Sequence, residues 1–379
     1  MPDRIRIMHF RRTSGVVGGP ETLIVSVAKY IDRSAFDLTA VDFGRTRNDR
    51  SPTLQDVQRH GARTDAIPAV HKFDFSSIRH LAGLLDEHRI DILHTHDHRS
   101  NFIGYWATRR RPTPIVVTFH QPLRRYWWLR HIEILDEHIV RRFDRVLPVA
   151  DMIRREIIAK APRIADRVIT VLNGVDLDLF RDPPQARERI RRELGIPNDA
   201  TVCATIGRIM EDKGLTYLVD AHARIAAQGV VVHQLLVGNG PQETELRERV
   251  ARLGLSDRIH FTGFRRDVAE ILDAADLLVV SSLSEGLSVA IIEAMAAGRA
   301  VVATRVGGTP EIVNDGVGIL VEPRDPAGLA DAIIALTRDA DRRRQLGVHA
   351  REIAFQKWSV ERMVRDFETV YRGLLRNAN

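Results

Sequence analysis

The chain has 379 residues, which is longer than one hydrophobic core usually serves, so two domains are expected. Its single cysteine excludes a disulfide framework and a multi-thiolate metal site, and it fits a reducing cytoplasm. The sequence shows neither a signal-peptide pattern nor an uninterrupted apolar stretch long enough to span a bilayer, so we expect a soluble protein.

The net charge of +6 permits attraction to phosphates, nucleic acid or an anionic membrane surface, and charge alone does not choose among them. The basic residues are scattered along predicted helices instead of alternating with stacking aromatic residues on strands. No nucleic-acid partner is therefore expected.

The first half alternates apolar runs with amphipathic stretches, which predicts an open parallel α/β sheet. Such sheets bind their ligands at the carboxyl ends of the strands. Strands are predicted at residues 4–10, 36–43, 90–96, 114–119, 145–149 and 168–172, and helices at 22–31, 53–60, 78–88, 101–110, 132–143 and 152–160.

A glycine-rich turn containing Gly18 and Gly19 joins the first predicted strand to the first helix. Glycine lets a ligand approach the backbone, and the next helix aims its N–H groups there. A plain tight turn is the alternative. The dinucleotide fingerprint Gly-x-Gly-x-x-Gly does not occur, which counts against a nicotinamide enzyme.

Three histidines, His94, His96 and His98, alternate around Asp97 at a predicted strand end. Such spacing could place three imidazoles on one face, as metal ligands are placed. We expect instead a structural or acceptor-facing role for them, and no metal. His120 also follows a strand, Val116 to Phe119, and a buried core histidine is the alternative for it.

The segment from Pro122 to His131 combines Tyr126, Trp127 and Trp128 with arginines. Aromatic side chains at the headgroup level and guanidinium groups on lipid phosphates are typical of an interfacial segment. The alternative is that the tryptophans pack in an acceptor pocket or in the core. Acceptor specificity is expected to reside here.

The second half restarts the α/β pattern with a strand at 202–206. Arg208 and Lys213 follow it, before a predicted helix at 215–227, and both cations could converge on a diphosphate. Gly238 and Gly263 come after further strands at 234–237 and 259–261. The turn at Gly238 needs unusual backbone angles.

An apolar strand at 277–280 is followed by a polar turn and a predicted helix at 287–297. The helix start at Gly286, Leu287 and Ser288 would point free N–H groups at an anion. Glu285 and Glu293 flank this turn, eight residues apart on nearly one helix face. Carboxylates accept hydrogen bonds from hydroxyls. A nucleotide sugar carries both phosphate groups for the turn and hydroxyl groups for the carboxylates, so it fits this stretch.

The stretch from Glu285 to Glu293, followed by Gly307-Gly-Thr-Pro-Glu311, closely resembles the donor motif of retaining family 4 glycosyltransferases. The Gly-Arg-x-x-x-x-Lys-Gly stretch at Arg208 and Lys213 and the Thr-x-His at His120 match the same family. The resemblance covers essentially the whole chain. It implies the GT-B fold, two Rossmann-like domains of doubly wound parallel sheets facing a central cleft. An N-terminal acceptor domain would comprise residues 1–173 completed by helix 360–379, and a donor domain residues 174–359.

The resemblance also implies roles for individual residues. His120, Arg208, Lys213 and Glu285 would be catalytic. The donor would be bound by Gly18, Gly19, Arg208, Lys213, Gly238, Gly263, Phe264, Arg265, Glu285, Gly286, Leu287, Ser288 and Glu293. The acceptor would be bound by Glu21, His96, Asp97, His120, Tyr126 and Trp127. Asp176 and Asp178 spell the metal signature of a different transferase architecture, but their frame resembles the interdomain segment of GT-B enzymes.

The expected function is metal-independent, retaining transfer of a sugar from a nucleotide diphosphate sugar to a sugar, lipid-linked or small-molecule hydroxyl acceptor. No cofactor is expected beyond the nucleotide sugar itself. The pathway would make a bacterial polysaccharide, glycolipid or other glycoconjugate, in the cytoplasm or peripherally on the inner face of the plasma membrane. The alternatives are a nucleotide-sugar epimerase or phosphorylase of similar architecture, and a non-catalytic nucleotide-sugar-binding protein.

Overall fold

A computed structural model describes residues 4–13, 19–68, 75–120, 130–182 and 185–376 of the chain. The chain forms two compact units. Unit 1 comprises Met1–Asn173 together with Val360–Asn379, and unit 2 comprises Gly174–Ser359. Each unit contains one six-stranded sheet whose strands pair in parallel. No helix among these residues is both long and apolar enough to cross a membrane.

The sheet of unit 1 has the strand order β3-β2-β1-β4-β5-β6. The order reverses between β1 and β4, so the carboxyl ends of these two central strands border the crevice where such sheets bind ligands. Its strands are β1 (Ile5–Phe10), β2 (Phe36–Gly44), β3 (Arg63–Pro68), β4 (Ile92–Thr95), β5 (Ile115–Phe119) and β6 (Arg145–Pro148).

Helices cover both faces of this sheet. Successive residues of β1 point to opposite faces, so Ile7 and Met8 enter two different apolar cores. The helices of unit 1 are α1 (Gly19–Tyr30), α2 (Pro52–Arg59), α3 (Ser76–Glu87), α4 (His98–Thr108), α5 (Arg130–Val140) and α6 (Asp151–Lys160), and a short 3₁₀ helix spans Pro162–Arg167.

The last helix of the chain, Val360–Arg376, belongs to unit 1. Met363, Phe367 and Tyr371 recur at helical spacing on one face and are buried in the same core as Ile7. Arg362 donates hydrogen bonds to the carbonyls of Leu172 and Asn173. The C-terminal segment therefore completes the core that the first 173 residues begin.

Two expectations about strands were wrong. β3 was not predicted, because its first residues, Arg63, Thr64 and Asp65, are polar; it is an edge strand that pairs with β2 alone. Residues 168–172 do not form a strand. Val168 makes one isolated bridge to Val146, and only two further backbone hydrogen bonds join this segment to β6.

The sheet of unit 2 has the order β12-β11-β10-β7-β8-β9, which reverses between β7 and β10. Its strands are β7 (Thr201–Ile206), β8 (Val232–Val237), β9 (Ile259–Gly263), β10 (Leu277–Val280), β11 (Ala300–Thr304) and β12 (Gly318–Val321). Its α-helices, numbered α7 to α14 in chain order, are Arg187–Glu193, Leu215–Ala227, Glu243–Arg252, Val268–Ala274, Val289–Ala296, Thr309–Ile312, Pro326–Arg338 and Ala340–Lys357, and the helix Val360–Arg376 of unit 1 is α15. Two 3₁₀ helices lie at Leu177–Phe180 and Glu211–Lys213.

A fully buried arginine ties α7 to this sheet. Arg191 donates to Asp276 and to the carbonyls of Ala274 and Ala200, and Arg187 pairs with the other oxygen of Asp276. Burial opposes ionisation of Asp276, but the Val202 N–H and the two guanidinium groups hold the pKa of its carboxyl below the usual range. α7 is therefore anchored to the sheet through Asp276, the residue that precedes β10.

Candidate active site

A pocket opens in unit 2 at the carboxyl ends of three neighbouring strands, β8, β7 and β10. It encloses about 370 Å³ that protein atoms do not fill, open solvent included. Parallel strands bring their carboxyl ends to the same edge, so loops that are far apart in sequence meet there. The pocket is lined by Thr205, Ile206, Gly207, Arg208, Ile209, Lys213, Leu215, Leu236, Val237, Val280, Ser281, Ser282, Glu285 and Ser288.

A cation and a carboxylate meet inside this pocket. The Lys213 Nζ lies 2.6 Å from Glu285 Oε1, although 72 residues separate the two in the chain. Ser282 Oγ donates to the same oxygen at 2.7 Å. The Glu285 residue is only 7% exposed, so its ion pair with Lys213 is shielded from water on most sides.

Backbone hydrogen bonds fix the two loops that carry this pair. The Leu283 N–H donates to the Asp212 carbonyl at 2.7 Å, and Ser281 Oγ donates to the Lys213 carbonyl at 2.9 Å. The loop after β7 and the loop after β10 are thus held against each other before any ligand binds.

Arg208 lines the same pocket but is exposed, and its guanidinium has no hydrogen-bonding or ion-pair partner among the residues that the structure describes. Its backbone is positioned by Gly238, which has a φ of +133°. A Cβ atom at Gly238 would lie 2.0 Å from the Gly207 carbonyl oxygen, so only glycine fits. The turn at Gly238 thereby allows β8 to support the residues around Arg208.

The helix after β10 begins two residues later than expected. α11 starts at Val289 with Ser288 as its N-cap residue, and no side chain caps it. Leu287 and Ser288 are both buried. The N-terminus of α11 therefore follows the Glu285 turn directly and can supply N–H donors to an anion.

A second glycine holds this turn in place. The Gly308 N–H donates to the Gly286 carbonyl at 2.7 Å, and a Cβ atom at Gly307 would lie 1.7 Å from the Glu285 carbonyl oxygen. The loop after β11 therefore packs directly on the backbone of Glu285. Gly307 was part of the family motif but was given no role in the predicted site, and Ser282 was not predicted; its place just after β10 is the signal that could have pointed to it.

Glu293 does not line the pocket. It is a partly buried residue of α11, and burial raises the pKa of its carboxyl to about 7. Its carboxylate has no ion-pair or hydrogen-bonding partner in the described part of the chain. A half-titrated carboxyl at neutral pH can either accept or donate a hydrogen bond.

Three residues predicted to bind the donor, Gly263, Phe264 and Arg265, lie at the end of β9 and directly after it. Phe264 is exposed, and Gly263 accepts a hydrogen bond from the Gly238 N–H. Arg265 is engaged within the protein, because its fork pairs with Asp267 at 2.6 and 2.8 Å and with Glu193 at 2.5 Å. These carboxylates raise the pKa of Arg265. Arg265 does not line the pocket described above.

In unit 1, four histidine rings are stacked at the carboxyl ends of β1, β4 and β5. His94 and His96 belong to this cluster as expected from their spacing, whereas His98 begins α4 and is not part of it. His9, from β1, was not predicted; its ring lies 4.6 Å from that of His94 and 5.0 Å from that of His96. His120 stacks on His96 at 5.8 Å.

Metal binding by these rings would compete with hydrogen bonds already present. The nitrogens of His9, His94 and His96 approach within 4.8 Å of one another. Five of those six nitrogens bond to one another, to Tyr371 or to Thr118, and His96 Nδ1 alone is unpartnered among the described residues. The buried Nε2 of His120 also has no partner there.

Burial lowers the pKa of all four imidazoles. It brings the pKa of His9 to about 3, and holds those of His94, His96 and His120 well below the ordinary value. The cluster is therefore neutral at physiological pH.

Two other residues predicted to bind the acceptor are occupied within unit 1. Asp97 is the N-cap of α4, accepting from the N–H groups of Arg99 and Ser100, while its second oxygen accepts from the Arg12 N–H. Glu21 is buried and pairs with Arg11, which also donates to the His96 carbonyl. In this structure Asp97 and Glu21 stabilise the loops around the histidines. Arg11 was not predicted.

Gly19 is the first residue of α1 and is exposed. Gly18, Tyr126 and Trp127, which were also predicted to bind substrates, and Trp128 lie outside the described residues.

Comparison with known proteins identifies the family. Two family models match the chain, "Glycosyltransferase Family 4" over residues 17–179 and "Glycosyl transferases group 1" over residues 200–339.

Curated relatives extend the match. The chain is 34% identical over 211 residues to the N-acetyl-alpha-D-glucosaminyl L-malate synthase of Bacillus anthracis, covering 55% of this chain and 54% of that protein. It is 30% identical over 307 residues to the alpha-maltose-1-phosphate synthase of Mycolicibacterium smegmatis, covering 74% of this chain and 78% of that protein. The chain thus spans about half the length of the first relative and over three quarters of the second.

Solved structures show the fold. Anabaena Alr3699/HepE in complex with UDP and glucose matches with a TM-score of 0.84 at 24% identity, covering 96% of this chain and 98% of that one. WaaG, a glycosyltransferase involved in lipopolysaccharide biosynthesis, matches with a TM-score of 0.77 at 16% identity, covering 97% and 100%.

The fold is that of the GT-B glycosyltransferases, as predicted. The chain belongs to glycosyltransferase family 4, whose C-terminal part is the group 1 glycosyl transferase domain. The predicted family, fold class and enzyme class are confirmed.

Proposed function

We propose that this family 4 enzyme transfers a sugar, with retention and without a metal, from a nucleoside diphosphate sugar to a hydroxyl acceptor. The observation that carries the proposal is the pocket of unit 2, where Arg208, Lys213 and the start of α11 surround Glu285. Two relatives named above are an N-acetyl-alpha-D-glucosaminyl L-malate synthase and an alpha-maltose-1-phosphate synthase, and WaaG is involved in lipopolysaccharide biosynthesis. A bacterial polysaccharide, glycolipid or other glycoconjugate is the proposed product class.

A diphosphate would complete the charges of this pocket. The Arg208 guanidinium is free to form a two-pronged hydrogen bond with phosphate oxygens. Lys213 is neutralised by Glu285 at 2.6 Å, and a bound diphosphate would compete for its ammonium group. Glu285 would then be able to accept hydrogen bonds from the hydroxyls of the donor sugar. Donor binding would thus release the Glu285 carboxylate from its ion pair with Lys213.

These positive groups replace a metal in the proposal. Negative charge grows on the leaving phosphate as the anomeric bond breaks, so prearranged cations and helix N–H groups stabilise the transition state more than the ground state. Glu285 would support the positive charge that develops on the sugar ring.

Retention of the anomeric configuration requires the acceptor hydroxyl to attack the same face of the sugar from which the phosphate departs. A leaving phosphate oxygen is the base in this proposal, because it gains charge as the acceptor hydroxyl loses its proton. In unit 1, His120 and His96 are proposed to contact the acceptor, because each has a buried nitrogen without a partner in the described chain.

Donor binding is tested first by thermal shift with UDP, GDP and ADP sugars. We expect one nucleotide sugar to raise the melting temperature, because a ligand of the native state alone stabilises it. Arg208→Ala should abolish this shift without lowering the melting temperature of the free protein. Arg338→Ala, an exposed arginine on α13, is the matched control and should leave the shift intact. If no donor stabilises the protein, the proposal is wrong.

Product analysis separates the reaction classes. Incubation of donor with candidate acceptors should yield a product of unchanged anomeric configuration, read by NMR, and the rate should persist in EDTA. An epimerase would convert the donor without any acceptor, and a phosphorylase would consume inorganic phosphate. Activity that disappears in EDTA and returns only with a divalent ion would contradict the metal-free mechanism.

We also propose that unit 1 attaches to an anionic membrane surface. Trp106 on α4 and Ile134 and Leu135 on α5 are 42–50% exposed, and the two helices pack together. The Arg109 guanidinium lies over the Trp106 ring at 4.8 Å. An aromatic body beside a guanidinium suits the headgroup region of an anionic bilayer.

Co-sedimentation with anionic vesicles tests this attachment. Binding should weaken with salt and with the double variant Trp106→Ala, Leu135→Ala, since both charge and buried apolar area contribute. Val231→Ala, which truncates an exposed side chain of unit 2, should bind as the wild type does. Equal sedimentation with neutral and anionic vesicles would contradict the proposal.

A further inference from the structure

Four hydrogen bonds in series connect five side chains of unit 1. Thr118 Oγ1 bonds His94 Nε2 at 2.7 Å, and His94 Nδ1 bonds the Tyr371 hydroxyl at 2.7 Å. The Tyr371 hydroxyl bonds His9 Nε2 at 3.1 Å, and His9 Nδ1 bonds His96 Nε2 at 3.0 Å. We call this series the histidine ladder. It ends at His96 Nδ1, which has no partner in the described residues.

The ladder is closed to water along its length. Thr118, His9, His94 and Tyr371 are at most 1% exposed, and His96 is 4% exposed. Its imidazoles are neutral because burial lowers their pKa values, so each carries a single N–H. Each bond must therefore use one donor and one lone pair.

If the Tyr371 hydroxyl donates within the ladder, two arrangements of the hydrogens satisfy all four bonds, and the direction of that donation decides between them. A third arrangement, in which Tyr371 accepts from both His94 and His9, would leave its own buried O–H without an acceptor among the described residues. If Tyr371 donates to His94, then His94 donates to Thr118, His9 donates to Tyr371, and His96 donates through Nε2. If Tyr371 donates to His9, then Thr118 donates to His94, His94 donates to Tyr371, and His9 donates to His96 Nε2. His96 Nδ1 is a lone pair in the first arrangement and an N–H in the second.

The hydroxyl hydrogen of Thr118 distinguishes the two. In the first arrangement Thr118 only accepts, and its own buried O–H has no acceptor among the described residues. In the second arrangement that O–H bonds His94. The first arrangement thus leaves two buried groups unpaired among the described residues, the Thr118 O–H and the His96 Nδ1 lone pair, whereas the second leaves only the His96 Nδ1–H. Unpaired buried polar groups are costly, so the second arrangement is favoured.

We propose that the ladder holds His96 as the Nδ1–H tautomer, which presents a fixed hydrogen-bond donor to an oxygen of the acceptor substrate. This inference rests on the proposed glycosyl transfer, and it assigns Tyr371, a residue of the last helix, as a positioning residue that acts through His9 and His96. The ligand chemistry is that of a hydroxyl, carboxylate or phosphate oxygen that accepts a hydrogen bond.

Nitrogen NMR of the full chain labelled with [¹⁵N]histidine tests the tautomer directly. Long-range proton–nitrogen spectra, with the His96 signals assigned by their loss in His96→Gln, should show Nδ1 protonated and Nε2 unprotonated. The reverse pattern would overturn the inference. The spectrum is independent of activity, so an Nε2–H tautomer in an active transferase refutes the ladder alone. Absence of transfer with a correct tautomer refutes the proposed function alone.

Tyr371→Phe removes the hydroxyl that orients the ladder. We expect both His96 nitrogens to move toward intermediate shifts, and kcat/KM for the acceptor to fall about tenfold, as loss of one hydrogen bond implies. The KM for the donor should stay unchanged. Tyr30→Phe removes a hydroxyl from the same unit outside the ladder and is the matched control. Unchanged His96 shifts in Tyr371→Phe would overturn the inference; should that variant not fold, the wild-type spectrum still decides.

Discussion

At the scale of single residues, the pocket of unit 2 contains one cation that is neutralised and one that is not. Lys213 forms an ion pair with Glu285, whereas Arg208 has no partner among the described side chains. Removal of the two cations is therefore expected to have different effects on the protein. Loss of Arg208 removes contacts to the ligand and the transition state but breaks no ion pair of the described protein, while loss of Lys213 also leaves a buried carboxylate unpaired.

Lys213→Ala should lower kcat by about 100-fold, because one preorganised group that stabilises the leaving phosphate is lost. It should also lower the melting temperature, since Glu285 loses its ion-pair partner in a shielded site. Lys160→Ala is the matched control, because Lys160 pairs with Glu137 at an exposed site of unit 1. Steady-state kinetics and thermal unfolding are the measurements. A Lys213→Ala variant with wild-type kcat would contradict the assigned role.

Glu293 should make stability depend on pH near neutrality. Burial raises the pKa of its carboxyl to about 7 in the folded protein, above the ordinary value near 4.5. The folded state then binds more protons than the unfolded state between these values, so this contribution to stability is present below pH 4.5 and is lost as pH rises to 7.

Glu293→Gln removes that titration. The melting temperature of the wild type, compared with that of Glu293→Gln, should fall between pH 5 and pH 7 and then stay level. Glu245→Gln, at an exposed position on α9, should show no such difference. A wild-type curve parallel to that of Glu293→Gln over this range would show that the carboxyl titrates normally.

At the scale of elements, unit 2 depends on backbone contacts between the loops after β10 and β11. Gly307 has a φ of +53°, and the Glu285 carbonyl occupies the place where a Cβ atom would lie. The position of the Glu285 turn is thus determined by a residue that makes no side-chain contact at all.

Gly307→Ala should displace this turn and lower kcat. The loss of kcat should exceed what the loss of folded protein explains. Gly229→Ala is the matched control: it has a φ of +71°, but no atom lies within 4 Å of its added Cβ. The control should cost about 1 kcal/mol of stability for the positive φ, with activity unchanged. If both variants keep wild-type kcat, the packing of Gly307 on the turn does not matter for the reaction.

The anchoring of α7 to the sheet gives a second prediction at this scale. Asp276→Ala leaves the fully buried Arg191 without its carboxylate and should cost about 3–5 kcal/mol of unfolding free energy. Asp220→Ala breaks the more exposed pair with Arg249 and should cost about 1 kcal/mol or less. Urea unfolding measures both. Equal costs would mean that Arg191 finds other partners.

The Asp276 carboxylate also predicts acid sensitivity. Its pKa is lower in the folded protein than in the unfolded chain, so its contribution to stability is present above the ordinary pKa near 3.8 and is lost as pH falls below it. Acid titration of Asp276→Ala should lack this component.

At the scale of the whole molecule, the sequence predicted most strands and the pairing of distant loops, for a physical reason. Buried central strands such as Leu277–Val280 are continuous apolar runs and can be read without ambiguity. Parallel pairing then brings the loops after β7 and β10 together, which agrees with the family resemblance by which Lys213 and Glu285 were assigned to one site.

Other features could not be predicted because they depend on packing. β3 is a polar edge strand, and its pattern is indistinguishable from a loop. His9 and Tyr371 lie 362 residues apart, and no local pattern indicates that they share a hydrogen bond. Arg265 pairs partly with Glu193, which is 72 residues away on α7, and no local pattern indicates that contact.

Because α15 supplies Phe367 and Tyr371 to a core begun by β1, unit 1 cannot finish folding until the final helix has left the ribosome. Unit 2 is uninterrupted in the chain and has no such wait. The apolar surface of unit 1 that α15 covers therefore stays exposed while unit 2 is being synthesised.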